Sequence, residues 1–191
     1  MSAHSIATTR SATGIPTGRL AVWWVLVAEI VIFGGVLASY VMHRLGHPEW
    51  AAEAAHTNTW AGAFNTLVLL TSSLAAVLAH QAAERGAGPK AARLLRLTVL
   101  GGAVFLTVKG FEWTHEIQAG FTLQAGGFWS YYYLAAGLHA FHVLAGMVIL
   151  LWVAASAARN RHLHRVENIG IYWHFVDVVW IFLFPLLYIA K

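Results

Sequence analysis

Long apolar runs separated by short polar segments dominate this chain from residue 20 to its end. A helix needs about 20 consecutive apolar residues to cross the hydrocarbon core of a bilayer. One run, Leu97–Val108, is too short by itself and must extend through Trp113 to reach that length. The pattern therefore predicts an all-α bundle of five transmembrane helices, at about residues 20–42, 60–80, 95–117, 128–156 and 169–190.

The first 18 residues differ from the rest, because they are rich in Ser, Thr and Ala and hold few large apolar side chains. This composition predicts a flexible N-terminal tail, residues 1–18, ahead of a single domain, residues 19–191. The apolar run that follows is longer than the core of a signal peptide and lacks a small-residue cleavage site. We therefore expect the first helix to be retained as an anchor.

Composition excludes most classes of soluble protein. Hydrophobic residues make up 59% of the chain and charged residues 10%, and the mean hydropathy is +0.62. A soluble domain has about 45–50% apolar and about 25% charged residues, so we exclude a water-soluble fold and a nucleic-acid-binding protein. The chain has no cysteine, which excludes disulfides, iron–sulfur clusters and thiolate-bridged copper. The eleven histidines remain as possible metal ligands.

Positive charges predict the orientation in the membrane, because Lys and Arg are enriched on the cytoplasmic side. One predicted side has only Arg44 and Lys191. The other side has nine positive residues: Arg10, Arg19, Arg85, Lys90, Arg93, Arg96, Arg159, Arg161 and Arg165. We expect a cytoplasmic N-terminus and an outside C-terminus. Aromatic residues near span ends, as at membrane interfaces, are Trp23, Trp24, Trp60, Trp129, Trp173 and Tyr188.

Two carboxylates lie deep in predicted spans, Glu29 in the first and Asp177 in the fifth. A charge at mid-membrane costs about 2.5–3.5 kcal/mol, so each carboxyl needs a partner or a purpose. For Glu29, proton handling or lipid headgroup binding and a structural hydrogen bond between helices are equally open. In either case we expect a polar partner from another helix or a bound lipid. For Asp177 we favour a local pair with His174, one helical turn away.

The third predicted span carries four ionisable residues three or four positions apart: Lys109, Glu112, His115 and Glu116. This spacing predicts that they share one helix face near the outer end of the span. A Lys–Glu pair within one helix neutralises itself. We therefore favour a self-compensating structural pair near the outer interface over a transport site.

His139 and His142 lie at positions i and i+3 of the fourth span, a spacing that could bind a metal or supply one haem ligand. A haem would also need a histidine at the same depth on another helix. His174 lies near the cytoplasmic end, whereas His139 and His142 are roughly 21–26 Å from the cytoplasmic end of their span. We therefore favour hydrogen bonding between helices, and we predict no catalytic, cofactor-binding or metal residue in this chain.

Small residues inside the predicted spans allow helix backbones to approach closely. They are Gly34, Gly35, Gly101, Gly102, Ala136, Gly137, Ala140 and Gly146. Such surfaces suit a bundle that also docks onto another membrane subunit.

Four segments together resemble a known family. They are WWVLVAEIVIFGGVLASY (Trp23–Tyr40), NTLVLLTSS (Asn65–Ser73), FWSYYYLAAGLHAFHVLAG (Phe128–Gly146) and YWHFVDVVWIFLFPLLY (Tyr172–Tyr188). In this order they resemble subunit III of the haem–copper oxidases, in its short five-helix form. Within that family, the Ser pair after Thr71, Lys109 in KGFEW and the FPLLY ending look most like the branch associated with nitric oxide reductase.

The resemblance implies an accessory subunit of a respiratory complex in the bacterial cytoplasmic (inner) membrane. Such a subunit holds no cofactor and packs beside catalytic subunit I, which carries haem and, in some members, copper. It binds phospholipid and supports assembly, proton uptake and sustained turnover. The partner could reduce oxygen or nitric oxide. Two alternatives are a haem b-type electron carrier and a small proton-coupled transporter, although the sequence shows no inverted repeat or broken helix.

Overall fold

The computed structural model describes residues 17–190, and every regular element in that range is helical. Residues 1–16 of the predicted tail lie outside the described residues, as does Lys191. The elements are α1 (Thr17–Gly46), α2 (Trp50–Ala54), α3 (Thr59–Glu84), α4 (Gly88–Gln118), α5 (Gly127–Ala157), α6 (His164–Phe184) and a π-helical segment (Pro185–Ile189).

Five helices are long and apolar enough to cross a membrane, which confirms the predicted architecture. They are α1, α3, α4, α5 and α6 with its π-helical extension. Each begins or ends some residues beyond the predicted apolar run, because a helix continues into the headgroup region, where polar side chains are hydrated. At the start of the chain α1 begins at Thr17, so the last two residues of the predicted tail are already helical.

Two short elements at one end of the bundle were not predicted. α2 is a five-residue helix between the first two spans, too short to show a helical period in the sequence. The π-helical segment begins at Pro185, which has no N–H to continue the α-helical ladder. Its register is that of a π-helix, because the Ala190 N–H donates to the Pro185 carbonyl five residues back, at 2.9 Å.

Helices α3, α4, α5 and α6 form the packed centre of the bundle, and α1 lies at its edge against α6 and α5. Close packing uses some of the predicted small residues. A Cβ atom at Gly102 would lie 2.8 Å from Trp173 and 2.9 Å from Met147, so α4 can approach only because this residue is glycine. Gly34 and Gly35 differ, because the described residues place nothing within 4 Å of their Cβ positions. They face outward from α1.

The two ends of the bundle differ in character. The α2 end comprises α2, the connection of residues 119–126 and the π-helical segment. Its backbone is tied to α1, since the Arg44 guanidinium donates to the Ala190 carbonyl at 2.7 Å and the Tyr40 hydroxyl to the Leu186 carbonyl at 3.0 Å. The basic end holds the connections of residues 85–87 and 158–163, where the predicted cytoplasmic charges concentrate. The sidedness of these ends stays a prediction.

Candidate functional site

Glu29 has a polar partner on another helix, as expected. Its Oε2 atom lies 2.9 Å from Nε2 of His142 on α5, and both side chains are largely buried. The distance is that of an ion pair, although the two groups are not aligned as a hydrogen bond. The sequence alone did not identify His142 as this partner, because nothing in the spacing relates α1 to α5.

The second nitrogen of His142 determines what the Glu29 contact needs to be favourable. Nδ1 lies 2.7 Å from the Leu138 carbonyl oxygen, which can only accept a hydrogen bond, so Nδ1 bears hydrogen. A neutral ring would then present a lone pair at Nε2 to the Glu29 oxygen. Because two acceptors repel each other at 2.9 Å, a favourable contact at this distance needs a proton on either Nε2 of His142 or Oε2 of Glu29. The edge of the Phe33 ring packs on the imidazole, with a centroid distance of 5.2 Å.

Lys109 and Glu112 form the predicted pair, with a distance of 3.1 Å from Nζ to Oε2. Lys109 is only 1% exposed and points into the bundle, while its predicted depth near the outer interface stays a prediction. His115 does not join them and is exposed. Six residues at 100° each place it about 120° around the helix from Lys109, which is too far to share its face.

Two tyrosines complete the cluster around Lys109. Its ammonium donates to the hydroxyls of Tyr132 on α5, at 3.0 Å, and of Tyr188 on the π-helical segment. The Tyr132 oxygen also lies 3.1 Å from Oε1 of Glu112 and 3.0 Å from Oε1 of Glu116. The ammonium is 4.8 Å from the Tyr132 ring centroid and 5.2 Å from that of Tyr188, so cation–π attraction adds to the hydrogen bonds.

Neither Tyr132 nor Tyr188 was predicted to belong to this cluster. Tyr188 was predicted to be an interfacial aromatic, but it is fully buried, as are Trp129 and Trp173. A signal was present, because a tyrosine on the helix face that packs inward needs a partner for its hydroxyl. Finding it required knowing which faces of α5 and α6 meet α4, and those faces follow from tertiary packing.

The remaining intramembrane polar residues do not form the expected pair. His174 makes its hydrogen bond through Nδ1 to the Ser73 hydroxyl on α3. Asp177 is buried, and neither of its carboxyl oxygens has a hydrogen-bond partner within residues 17–190. The predicted pair of His174 and Asp177 was therefore wrong, since Ser73 offers His174 a partner on another helix.

His139 is enclosed by aromatic rings. Its ring lies 5.2 Å from that of Trp180, in a stacked arrangement, and 5.3 Å from that of Phe105, edge to face. Neither ring nitrogen has a hydrogen-bond partner among the described residues, so the predicted hydrogen bond between helices was wrong for His139, whose neighbours are aromatic rings. The described part of the chain also contains no group of three or more His, Asp or Glu residues that could hold a metal ion.

Comparison with known proteins decides the family. The model of the family described as cytochrome c oxidase subunit III matches residues 12–191 of this sequence. The chain belongs to that family. Cytochrome c oxidase subunit 3 of Corynebacterium diphtheriae is 36% identical over 173 residues, which cover 87% of this chain and 84% of that protein. The subunit 3 of Thermostichus vulcanus is 32% identical, covering 86% of this chain and 83% of that protein.

A third relative joins two subunits in one polypeptide. The heme-copper oxidase subunit I+III of Aeropyrum pernix is 31% identical over 183 residues, which cover 90% of this chain but 22% of that protein. Membership of the family makes this chain an accessory, multi-pass membrane subunit of a haem–copper oxidase, and it implies a complex with catalytic subunit I. The expected nitric oxide reductase branch has no support among these relatives and stays a prediction.

Proposed function

We propose that this subunit III holds a phospholipid beside the catalytic subunit and, through Glu29, supports proton uptake and sustained turnover in a bacterial inner membrane. Haem and any copper then belong to catalytic subunit I and not to this chain. The observation that carries the proposal is a groove between α1, α5 and α6 that ends in a basic rim at the basic end.

The groove has the chemistry of a lipid site. Its volume is about 390 Å³, and its walls are mostly apolar side chains, which suit an acyl chain. The lining consists of Val22, Val25, Ile149, Trp152, Val153, Arg165, Asn168, Ile169 and Tyr172. Arg165 lies at the rim, with its guanidinium 4.8 Å from the centroid of the Trp152 ring. A cation held in this way beside an apolar cleft suits a lipid phosphate.

A second cavity extends the rim away from the hydrocarbon. It has a volume of about 300 Å³ and shares Trp152 and Arg165 with the groove. Its other polar lining residues are Ser156, Arg159, Arg161 and His162. Several cations within one headgroup's reach favour an anionic lipid. Such lipids are enriched in the cytoplasmic leaflet, and the charge count predicts that this end faces the cytoplasm.

The inner end of the groove leads towards the Glu29–His142 contact. Tyr172 lines the groove, and its hydroxyl donates to the His142 carbonyl at 3.4 Å. An acyl chain in the groove would therefore keep water away from the contact and from α1. This arrangement supports a role in which the lipid and Glu29 together maintain the subunit during prolonged turnover.

Lipid retention in the purified complex tests the proposal. Replacing Arg165 with Gln should reduce the phospholipid that survives detergent purification, because the phosphate loses its partner at the rim. The matched control is Arg93→Gln, which removes an exposed cation from α4 outside the groove. Equal lipid content in the two variants and the wild type, measured by mass spectrometry of extracts, would contradict the proposal.

The same preparations test the cofactor expectation. The isolated subunit should show no Soret band, whereas the complex with its catalytic partner should show one. A Soret band in the isolated subunit would instead favour the haem b-type carrier.

A further inference from the structure

We propose that the Lys109 cluster binds one exchangeable proton, shared between Glu112 and Glu116 and supplied by water at the α2 end. The cluster is defined as Lys109, Glu112, Glu116, Tyr132 and Tyr188. This inference is independent of the lipid groove, which lies near the opposite end of the bundle.

The contacts within the cluster need one more hydrogen than Lys109 and Tyr132 supply. Lys109 donates to Oε2 of Glu112 and to the hydroxyls of Tyr132 and Tyr188, which uses all three ammonium hydrogens. The Tyr132 oxygen contacts Oε1 of Glu112 and Oε1 of Glu116, but the phenol has one hydrogen. If both carboxyls were ionised, one of these oxygen–oxygen contacts would lack a hydrogen. One added proton supplies it.

Charge balance gives the same count. With an ammonium and two carboxylates, the buried cluster would carry one net negative charge, while Lys109 is 1% and Glu116 is 4% exposed. An uncompensated buried charge is costly, and a carboxyl in that position takes up a proton instead. The neutral cluster therefore has one ammonium, one carboxylate and one carboxylic acid. Because Tyr132 contacts both carboxyls, the proton belongs to the pair rather than to one residue.

A cavity connects the two carboxyls to the α2 end. Its volume is about 280 Å³, and both Glu112 and Glu116 line it. Oε2 of Glu116 is buried and has no hydrogen-bond partner among the described residues, so the carboxyl keeps an unused acceptor beside this cavity. The other polar lining residues, His56, Asn58 and His115, are exposed. These three side chains line the path from bulk water to the carboxyl pair.

Titratable groups face the pair from each element around it. The α4 groups are Lys109 and His115, and the connection after α2 contributes His56. From α5 come Tyr132 and Tyr133, of which Tyr133 donates its hydroxyl hydrogen to the Phe121 carbonyl at 2.7 Å. The π-helical segment contributes Tyr188. Lys109 is the one buried cation among these groups, and it balances only one of the two carboxylates.

Infrared difference spectroscopy of the full chain in detergent tests the proposal, because a neutral carboxyl has its own carbonyl band. Glu116→Gln should remove one carboxyl's absorbance from this band. Glu112→Gln should remove the same amount, since Glu116 would then ionise to balance Lys109. Lys109→Met should add one carboxyl's absorbance, because both groups would become neutral. The matched control is Glu84→Gln, an exposed carboxyl on α3, which should leave the band unchanged.

The band should also shift rapidly in D₂O, because the proton exchanges through the cavity. Ala61→Phe narrows that cavity and should slow the shift several-fold. If neither glutamine variant alters the neutral-carboxyl band at any pH at which the chain stays folded, the cluster holds no shared proton. Loss of the band in Glu116→Gln but not in Glu112→Gln would also overturn the proposal, since Glu116 would then be protonated independently.

Discussion

Glu29 and His142 make the only contact below 4 Å between an acidic side chain and a basic side chain of α1 and α5 in residues 17–190. Because this contact lies inside a predicted span, the energy of the interaction depends strongly on the low dielectric constant around it, which entering water would raise. The contact is thus sensitive to anything that opens the edge of the bundle beside α1.

Replacing Glu29 with Ala should leave the bundle inserted, because removing a buried ionisable group lowers the cost of membrane insertion. If the carboxyl serves the enzyme, the complex should keep its initial rate but inactivate sooner during prolonged turnover, or pump fewer protons. Both quantities are measured on the reconstituted complex, with Glu84→Gln as the control. Wild-type behaviour of both Glu29→Ala and Glu29→Gln over long turnover would assign the carboxyl a structural role.

The hydroxyl of Tyr188 should contribute more to stability than a tyrosine hydroxyl that bonds a neutral group. Its oxygen accepts from a buried ammonium, so Tyr188→Phe should cost about 1.5–3 kcal/mol of unfolding free energy. Tyr133 bonds a neutral carbonyl instead, and Tyr133→Phe should cost only about 0.5–1.5 kcal/mol. Chemical denaturation of the subunit in mixed micelles measures both. Equal losses would show that the Lys109 contact adds nothing beyond an ordinary hydrogen bond.

Local spacing predicted residue contacts only within a helix. The Lys109–Glu112 pair followed from a three-residue separation, and the structure contains it. His174 and Asp177 have the same separation, yet His174 bonds Ser73 on α3. The difference is tertiary, because a competing partner on a neighbouring helix outweighs a local one, and a single sequence does not reveal which helices are neighbours.

Most of the helices could be predicted from the sequence, because an apolar run long enough to cross a membrane forms few structures other than a transmembrane helix. α2 and the π-helical segment were not predicted, because each is too short to show a periodic pattern. They matter for function, since the π-helical segment places the Tyr188 hydroxyl on Lys109. Sequence patterns thus predicted the frame of the bundle but not the short elements that complete the Lys109 cluster.

Packing of α4 depends on glycine at one position. Gly102→Val should destabilise the subunit by about 1–3 kcal/mol, because the new side chain would overlap Trp173 and Met147. Gly35→Val makes the same chemical change on the outward face of α1, where the described residues place nothing within 4 Å, and should be nearly neutral. Thermal unfolding of the two purified variants measures the difference. Equal melting temperatures would contradict this account of α4 packing.

At the scale of the whole molecule, the charge distribution predicts one orientation. A reporter fused after Lys191 should be outside, and one inserted in residues 81–93 should be cytoplasmic, because nine of eleven positive charges outside the spans lie on the latter side. Paired reporters active on opposite sides of the membrane measure both positions in the same cells. A cytoplasmic C-terminus would contradict both the orientation and the odd number of spans.

The position of α1 also has a consequence for how the subunit is made. α1 is synthesised first, but its main neighbours, α5 and α6, are synthesised last, and Arg44 bonds a carbonyl 146 residues further along the chain. α1 therefore enters the membrane before α5 and α6 have been synthesised. α1 is the most hydrophobic of the five long helices, so it is stable in the lipid without its partners. A nascent chain arrested before α5 would hold α1 unattached, so closure of the bundle is among the last events of biosynthesis.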